Sequence, residues 1–282
     1  MKPTIFTKFV TTLLCYSMNE HIHPYKGNHS VKEAVISFFV QPNILAPEGF
    51  RGLLTEDGII RDNYQKFETI KEVSVDISLG RDTQVKKVND VGFKLTGFRE
   101  GRTSKVIQGL HQATRTVFTF NELEYVSWND FLNLTIEGAR QIAGKLQGHL
   151  LRAFSLMYID EFYFDETASY DARELFNLDS RTLPKGLEDS PLVDYQLVLN
   201  KNIGEHGYSD SLGIKVLDAG ERKTIRIINS LTFPLKNRVE WTDYMGSGVL
   251  TELLNSAHQS NKIMLNDILR KEVTEGIGIC VY

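Results

Sequence analysis

Along the first half of the chain, apolar residues recur at every second position in short runs, the period of a strand with one buried face. "VKEAVISFFV" (31–40), closed by Gln41-Pro42, is the first such run, and "KEVSVDISL" (71–79) is the second. "VGFKLTGFREGRTSKVIQGL" (91–110) predicts two strands about a Glu100-Gly101 turn, and "QATRTVFTFNEL" (112–123) a further one centred on Val117 and Phe118. Most connections are too short to carry a helix, so these strands are expected to pair antiparallel.

The period changes after Ser127. Trp128, Leu132, Thr135, Ile136, Ala139, Ile142, Ala143 and Leu146 follow helical spacing. Ser127 and Asp130 have the spacing of a capping box, Val126 and Phe131 occupy the staple positions around it, and Gly148 is a natural stop. Ser127, Trp128 and Asp130 are therefore read as a structural helix cap, with the Trp128 ring buried against the sheet at the first turn. Gly138 and Gly144 fall on the more polar side of the helix, each at a cost of roughly 1 kcal/mol relative to alanine.

"LLRAFSLMYIDEFYF" (150–164) predicts a long strand, after which residues 165–193 turn acidic and turn-rich, with one helical turn near "DARELF". "YQLVLNKNI", "LGIKVLDAG" and "KTIRIINSLTFPLK" are read as strands, and "GVLTELLNSAHQSNKIMLNDILRK" as a helix preceded by "MGSG", with Ser247 available as its cap. The layout of strands followed by one long helix thus occurs twice, without a residue-level repeat. The expected fold is α+β, antiparallel sheets each covered by a long helix, in two architecturally similar halves. Its divisions are an N-terminal extension (1–29), a sheet-plus-helix half (30–164), an acidic linker or excursion (165–193) and a second sheet-plus-helix half (194–282).

The 282 residues are 41% hydrophobic and 24% charged, which supports a true core and not disorder. A formal charge of −4 supplies no global basic field, so binding of nucleic acid through its phosphates is disfavoured. Cys15 and Cys280 stand at opposite ends, in no metal or redox spacing, and this points to a reducing compartment. "MKPTIFTKFVTTLLCYS" is threonine-broken and lacks a small-x-small cleavage site, so it is read as a dispensable extension, with Met18 as an internal start, and not as an export signal. No run has transmembrane length.

Three patches, in order, resemble a sporadically distributed bacterial family of unknown function: "VKEAVISFFV", "VGFKL … FTFNELEYVSWNDF" and "LLNSAH". The resemblance covers roughly residues 30–275. It implies an architecture and no activity. The family's arginine-tyrosine-x-asparagine strand corresponds here to Met157, Tyr158, Ile159 and Asp160, and Arg152 is out of register with the missing arginine.

Familiar enzyme motifs are absent: no phosphate loop, no GxGxxG after a strand, no HExxH, no CxxC, and "MGSG" lacks the first glycine of a nucleophile elbow. His21 and His23, with Glu20, have a spacing that can share a metal ion but read more simply as a solvated lead-in. His258 sits beside its helix's apolar stripe and is read as packed and hydrogen-bonded. His206 belongs to a turn, and His111 lies in or beside a strand. Asp160, Glu161, Asp165 and Glu166 form an acidic cluster, of which Asp160, Glu161 and Asp165 are the candidate ligands for a hard cation. Lys94, Arg99, Arg102, Lys105 and Arg115 sit on or around one predicted hairpin. They could hold an anion or a partner on one face; the same charges also protect an exposed sheet edge.

These readings favour a cytoplasmic binding or adaptor protein, with another protein or a small ligand as its partner. The ligand is expected in a groove between sheet and helix, or the partner along a strand edge. An accessory role in bacterial defence or a toxin–antitoxin pair is compatible with patchy occurrence of the family. The alternative is a metal-dependent enzyme acting on a phosphorylated or nucleic-acid substrate, which would bind through the basic hairpin and use the acids for metal. No cofactor and no oligomeric state follow from the sequence.

Overall fold

The structure is a computed structural model and describes residues 21–44, 46–76, 84–165, 171–185, 187, 194–218 and 223–279. The end of the strand expected over 71–79 lies outside these residues, as do Cys15, Glu20, Glu166 and Cys280. Ten strands form one sheet. They are β1 (Ile22–Pro24), β2 (Val31–Gln41), β3 (Lys66–Asp76), β4 (Gln84–Arg99), β5 (Arg102–Gln112), β6 (Arg115–Glu122), β7 (Leu150–Phe164), β8 (Asp194–Ile203), β9 (His206–Asp218) and β10 (Lys223–Glu240). Their order is β3-β4-β5-β6-β2-β7-β10-β9-β8, with β1 paired to the end of β7, and each pairing is antiparallel. The β4–β5 hairpin turns on Glu100 and Gly101, both at positive φ (51° and 76°), the two-residue geometry whose twist matches the flanking strands.

The helices are α1 (Ile59–Asn63), α2 (Trp128–Gly144), α3 (Ala172–Leu175), α4 (Trp241–Gly246), α5 (Val249–Ile268) and α6 (Lys271–Gly276), with a 3₁₀ helix at Pro47–Leu54. The α+β expectation, two halves each with a long helix over its own sheet, is corrected here. One large antiparallel sheet dominates, and the helices are short beside it. The physical reason lies in β7, which pairs with β2 on one side and β10 on the other, so strands from both halves share a single hydrogen-bonded ladder. Helix α5 likewise does not serve one half. Its Leu250, Leu253, Leu254 and Ala257 enter a core cluster with Phe38, Phe118 and Phe154, whereas Met264, Leu265 and Ile268 enter a second cluster with Phe162, Ile225 and Ile227.

Strand alternation decides which side chains meet the helices. Phe154, Leu156, Tyr158, Asp160 and Phe162 of β7 alternate with Ser155, Met157, Ile159 and Glu161, and the first set faces the two clusters. Residues read as an extension and a linker also contribute. Ile22 of β1 is buried, and so are Leu175, Phe176, Leu183 and Leu187 in the second cluster.

Helix α2 starts where its cap specifies: the Ser127 hydroxyl accepts from the Asp130 amide at 3.2 Å and donates to the Asp130 carboxylate at 2.7 Å, a cap that stabilises by about 1 kcal/mol. The staple differs from expectation. Val126 is 71% exposed, and Tyr125 packs edge-on against Phe131 in its place, ring centroids 6.3 Å apart. Gly138 is not on the polar side either. It is buried, and a Cβ there would lie 3.0 Å from the Phe120 ring, so the glycine lets α2 approach β6 closely. Ser247 closes α4 by donating to the Tyr244 carbonyl at 2.8 Å, leaving Gly248 as the residue that begins α5.

Candidate functional site

Trp128 does not lie against the sheet. Being the first residue of α2, it projects toward α5, where its indole stacks on the His258 imidazole with centroids 4.6 Å apart and planes 10° from parallel. Its N–H donates to the Asn255 Oδ1 at 2.6 Å. His258 is carried by α5 over the centre of β7, and its Nδ1 shares a hydrogen bond of 2.9 Å with the Tyr158 hydroxyl. Tyr125, from the loop before α2, stands edge-on to Tyr158 with ring centroids 5.9 Å apart. Two positions further along β7, on the same face, is Asp160.

These groups line a cleft of about 280 Å³ between β7, the start of α2 and the middle of α5, which Ser30, Asn261, Lys262, Leu265 and Ile277 help to complete. Asp160 is fully buried (0% exposed). Its Oδ1 accepts from the Ser30 hydroxyl at 2.7 Å, and its Oδ2 has no hydrogen-bond partner among the described residues. Asn261 Oδ1 is a second buried acceptor without a partner. Burial pushes the Asp160 carboxyl up to about 6, against the smaller opposing effect of Ser30. Burial, reinforced by the positive charge of Lys262, brings His258 down to about 4, so the imidazole is neutral at pH 7. Burial also raises the Tyr125 and Tyr158 hydroxyls, to about 12 for Tyr125 and well above the ordinary phenol range for Tyr158, so both remain protonated.

The proposed metal ligands do not converge. Asp160 and Glu161 are consecutive in a strand and point to opposite faces. On the face away from the helices, Glu161 receives Lys32 Nζ at 2.8 Å, Arg226 Nη2 at 2.6 Å and the Tyr163 hydroxyl at 3.1 Å. Burial acts to raise its carboxyl, but the hydrogen bonds of Lys32 and Arg226 outweigh it and hold the group below its usual range. Asp165 sits beyond the strand end with His23 Nε2 at 3.1 Å and His21 Nδ1 at 4.0 Å, all three exposed. Among the described residues, no group of three or more His, Cys, Asp or Glu could hold a metal ion.

The five basic residues do not make one patch. Lys94 and Lys105 lie on opposite faces of the β4–β5 pair, because Lys94 is opposite Gln108 and Lys105 opposite Gly97. Arg99 is 3.6 Å from Glu124, and Lys105 donates to Asn63 at 3.3 Å. Arg102 is exposed beside the Glu100-Gly101 turn. Arg115 stands at the far end of the sheet from that turn, its guanidinium 4.7 Å from the centre of the Phe39 ring. The 500 Å³ depression beside Arg99 and Lys105 also contains Glu122 and Glu124, so its charge is mixed. A wider depression of 690 Å³ at the β8–β9 turn has no buried carboxylate or imidazole among its described lining residues.

Of the cleft residues, the sequence marked Trp128 as part of a helix cap buried against the sheet, Asp160 as a metal ligand and His258 as a packed, hydrogen-bonded residue, the last of which stands as read. Ser30, Tyr125, Tyr158 and Asn261 carried no local signal as site residues, because they meet through tertiary contacts between distant parts of the chain, such as Ser30 with Asp160 and Tyr158 with His258. Among the described residues, no helix is long and apolar enough to cross a membrane. No family model matches the chain, and neither the curated proteins nor the solved structures include one similar to it.

Proposed function

We propose that the chain is a cytoplasmic binding protein whose small ligand occupies the cleft between β7 and the α2–α5 helices. A single observation carries this reading: a fully buried carboxylate, Asp160, lines a cleft walled by Trp128, and its Oδ2 has no partner among the described residues. A buried charge with only one of its oxygens hydrogen-bonded is costly, and folded proteins tolerate that where something else completes the site. The cleft has the composition of a ligand site, with apolar and aromatic walls around a few convergent polar groups. The metal-dependent alternative has no comparable support, since its three acids point to different surroundings.

The chain has two tryptophans, Trp128 at the cleft and Trp241 fully buried in the core. Incorporation of 5-fluorotryptophan therefore gives two fluorine NMR signals, which the Trp241→Phe variant assigns. A fragment library of mixed charge is expected to contain members that shift the Trp128 signal saturably and leave the Trp241 signal in place. A library in which no member moves Trp128 would overturn the reading.

A further inference from the structure

Taking the cleft as a ligand site, its polar atoms restrict the chemistry of what it holds. Three buried atoms of the lining have no partner among the described residues: Asp160 Oδ2 and Asn261 Oδ1 are acceptors, and His29 Nδ1 donates or accepts according to its tautomer, so a donor on the ligand complements all three. Asp160 has no cation near it in the way Glu161 has. Ser30 is its hydrogen-bond partner, and among the described residues no lysine, arginine or histidine forms an ion pair with it. Two imidazoles also line the cleft: His258 is neutral at pH 7, and burial lowers His29 below its ordinary range. The walls include the rings of Trp128, Tyr125 and Tyr158, whose π faces attract cations. Lys262 is the one lysine or arginine lining the cleft among the described residues, and it is partly buried where Asp160 is wholly so. Water screens the partly buried Lys262 charge more than the wholly buried one, so the carboxylate dominates the field beside it.

We infer that the cleft recognises a compact organic cation bearing N–H donors, a primary ammonium or amidinium group, attached to an aromatic or apolar body. Its charged end sits against Asp160 and Asn261, and its body lies among Trp128, Tyr125 and Leu265. A quaternary ammonium ion satisfies the charge but leaves both acceptors unbonded, and is the weaker ligand. This inference rests on the proposed function and is separable from it.

Three near-isosteric probes test it: phenethylamine (cation), 2-phenylethanol (neutral) and 3-phenylpropionate (anion), each titrated while the fluorine signal of Trp128 is followed. Phenethylamine is expected to bind at least tenfold more tightly than the alcohol, and the anion not at all. In Asp160→Asn the amine should weaken at least tenfold while the alcohol is unchanged, and an unmoved Trp241 signal certifies the fold. Equal affinity for amine and alcohol, or preference for the anion, would overturn the cation assignment and leave the ligand site standing. Failure of all three probes would also overturn it. The site reading itself falls only if the mixed-charge library leaves Trp128 unmoved as well.

Discussion

Asp160 and Glu161 are neighbours in one strand, both almost fully buried, and the chain treats them in opposite ways. Glu161 faces away from the helices and is met by Lys32, Arg226 and Tyr163. Asp160 faces the helices, receives one hydroxyl, and keeps an oxygen free in a cleft. Burial acts on both to raise their carboxyls. Two cations reverse that effect at Glu161, and nothing reverses it at Asp160. The first carboxylate holds three strands, β2, β7 and β10, together. The second is maintained against the stability of the fold, and such a group is where a partner from outside is to be sought.

The largest effect in this pair is expected from Glu161→Gln. It leaves Lys32 and Arg226 facing a neutral amide, and chemical denaturation should show a loss of about 2 kcal/mol, less than for a fully buried ion pair because both cations are about one-third exposed. Asp160→Asn should act in the other direction. Removing a buried charge without a counter-ion is expected to stabilise the protein by about 1–2 kcal/mol at pH 7, the amide keeping some of the desolvation cost. Ser30→Ala deletes the one side-chain hydrogen bond to Asp160 among the described residues, which drives that carboxyl further up and costs about 1 kcal/mol in a thermal or denaturant melt. Lys32→Ala is the smallest, about 0.5 kcal/mol, because Arg226 still pairs Glu161 through the same oxygen and Lys32 is partly solvated. If Glu161→Gln and Asp160→Asn shifted stability in the same direction, the two carboxylates would not differ as described.

Part of this was legible in the sequence. The strand over 150–164 was evident from its apolar run, and a period of two already separates residue 160 from residue 161, so the acidic cluster could have been divided on strand geometry alone. The Ser127 cap was legible because its signal is local, three residues wide, and it formed as read. The Trp128 environment was not. Spacing says which helix face is apolar, but the ring found its place on His258, 130 residues later, through tertiary packing. The same limit hid the single sheet. Each half's strands and helix look self-sufficient locally, and only the β7–β10 ladder, which no local pattern encodes, merges them. Val126 and Tyr125 illustrate the smaller scale: either apolar residue could staple Phe131, and the larger ring took the position.

The central claim is that Asp160 is a buried carboxylate with no compensating charge among the described residues. The most direct measurement is the stability of the parent protein and Asp160→Asn by urea denaturation at intervals from pH 4 to pH 7.5. The Asp160 carboxyl is raised from 3.8 to about 6 in the folded protein, so folding binds a proton between those values. The penalty is therefore fully present above about pH 6 and is relieved as the pH falls toward 3.8, up to roughly 3 kcal/mol before the amide's own cost is counted. His258 and the other titrating groups contribute equally to both proteins and cancel in the difference. The advantage of Asp160→Asn should be greatest near pH 7 and shrink steadily toward pH 4. A difference that stays constant across this range, or a variant less stable than its parent at pH 7, would contradict the claim.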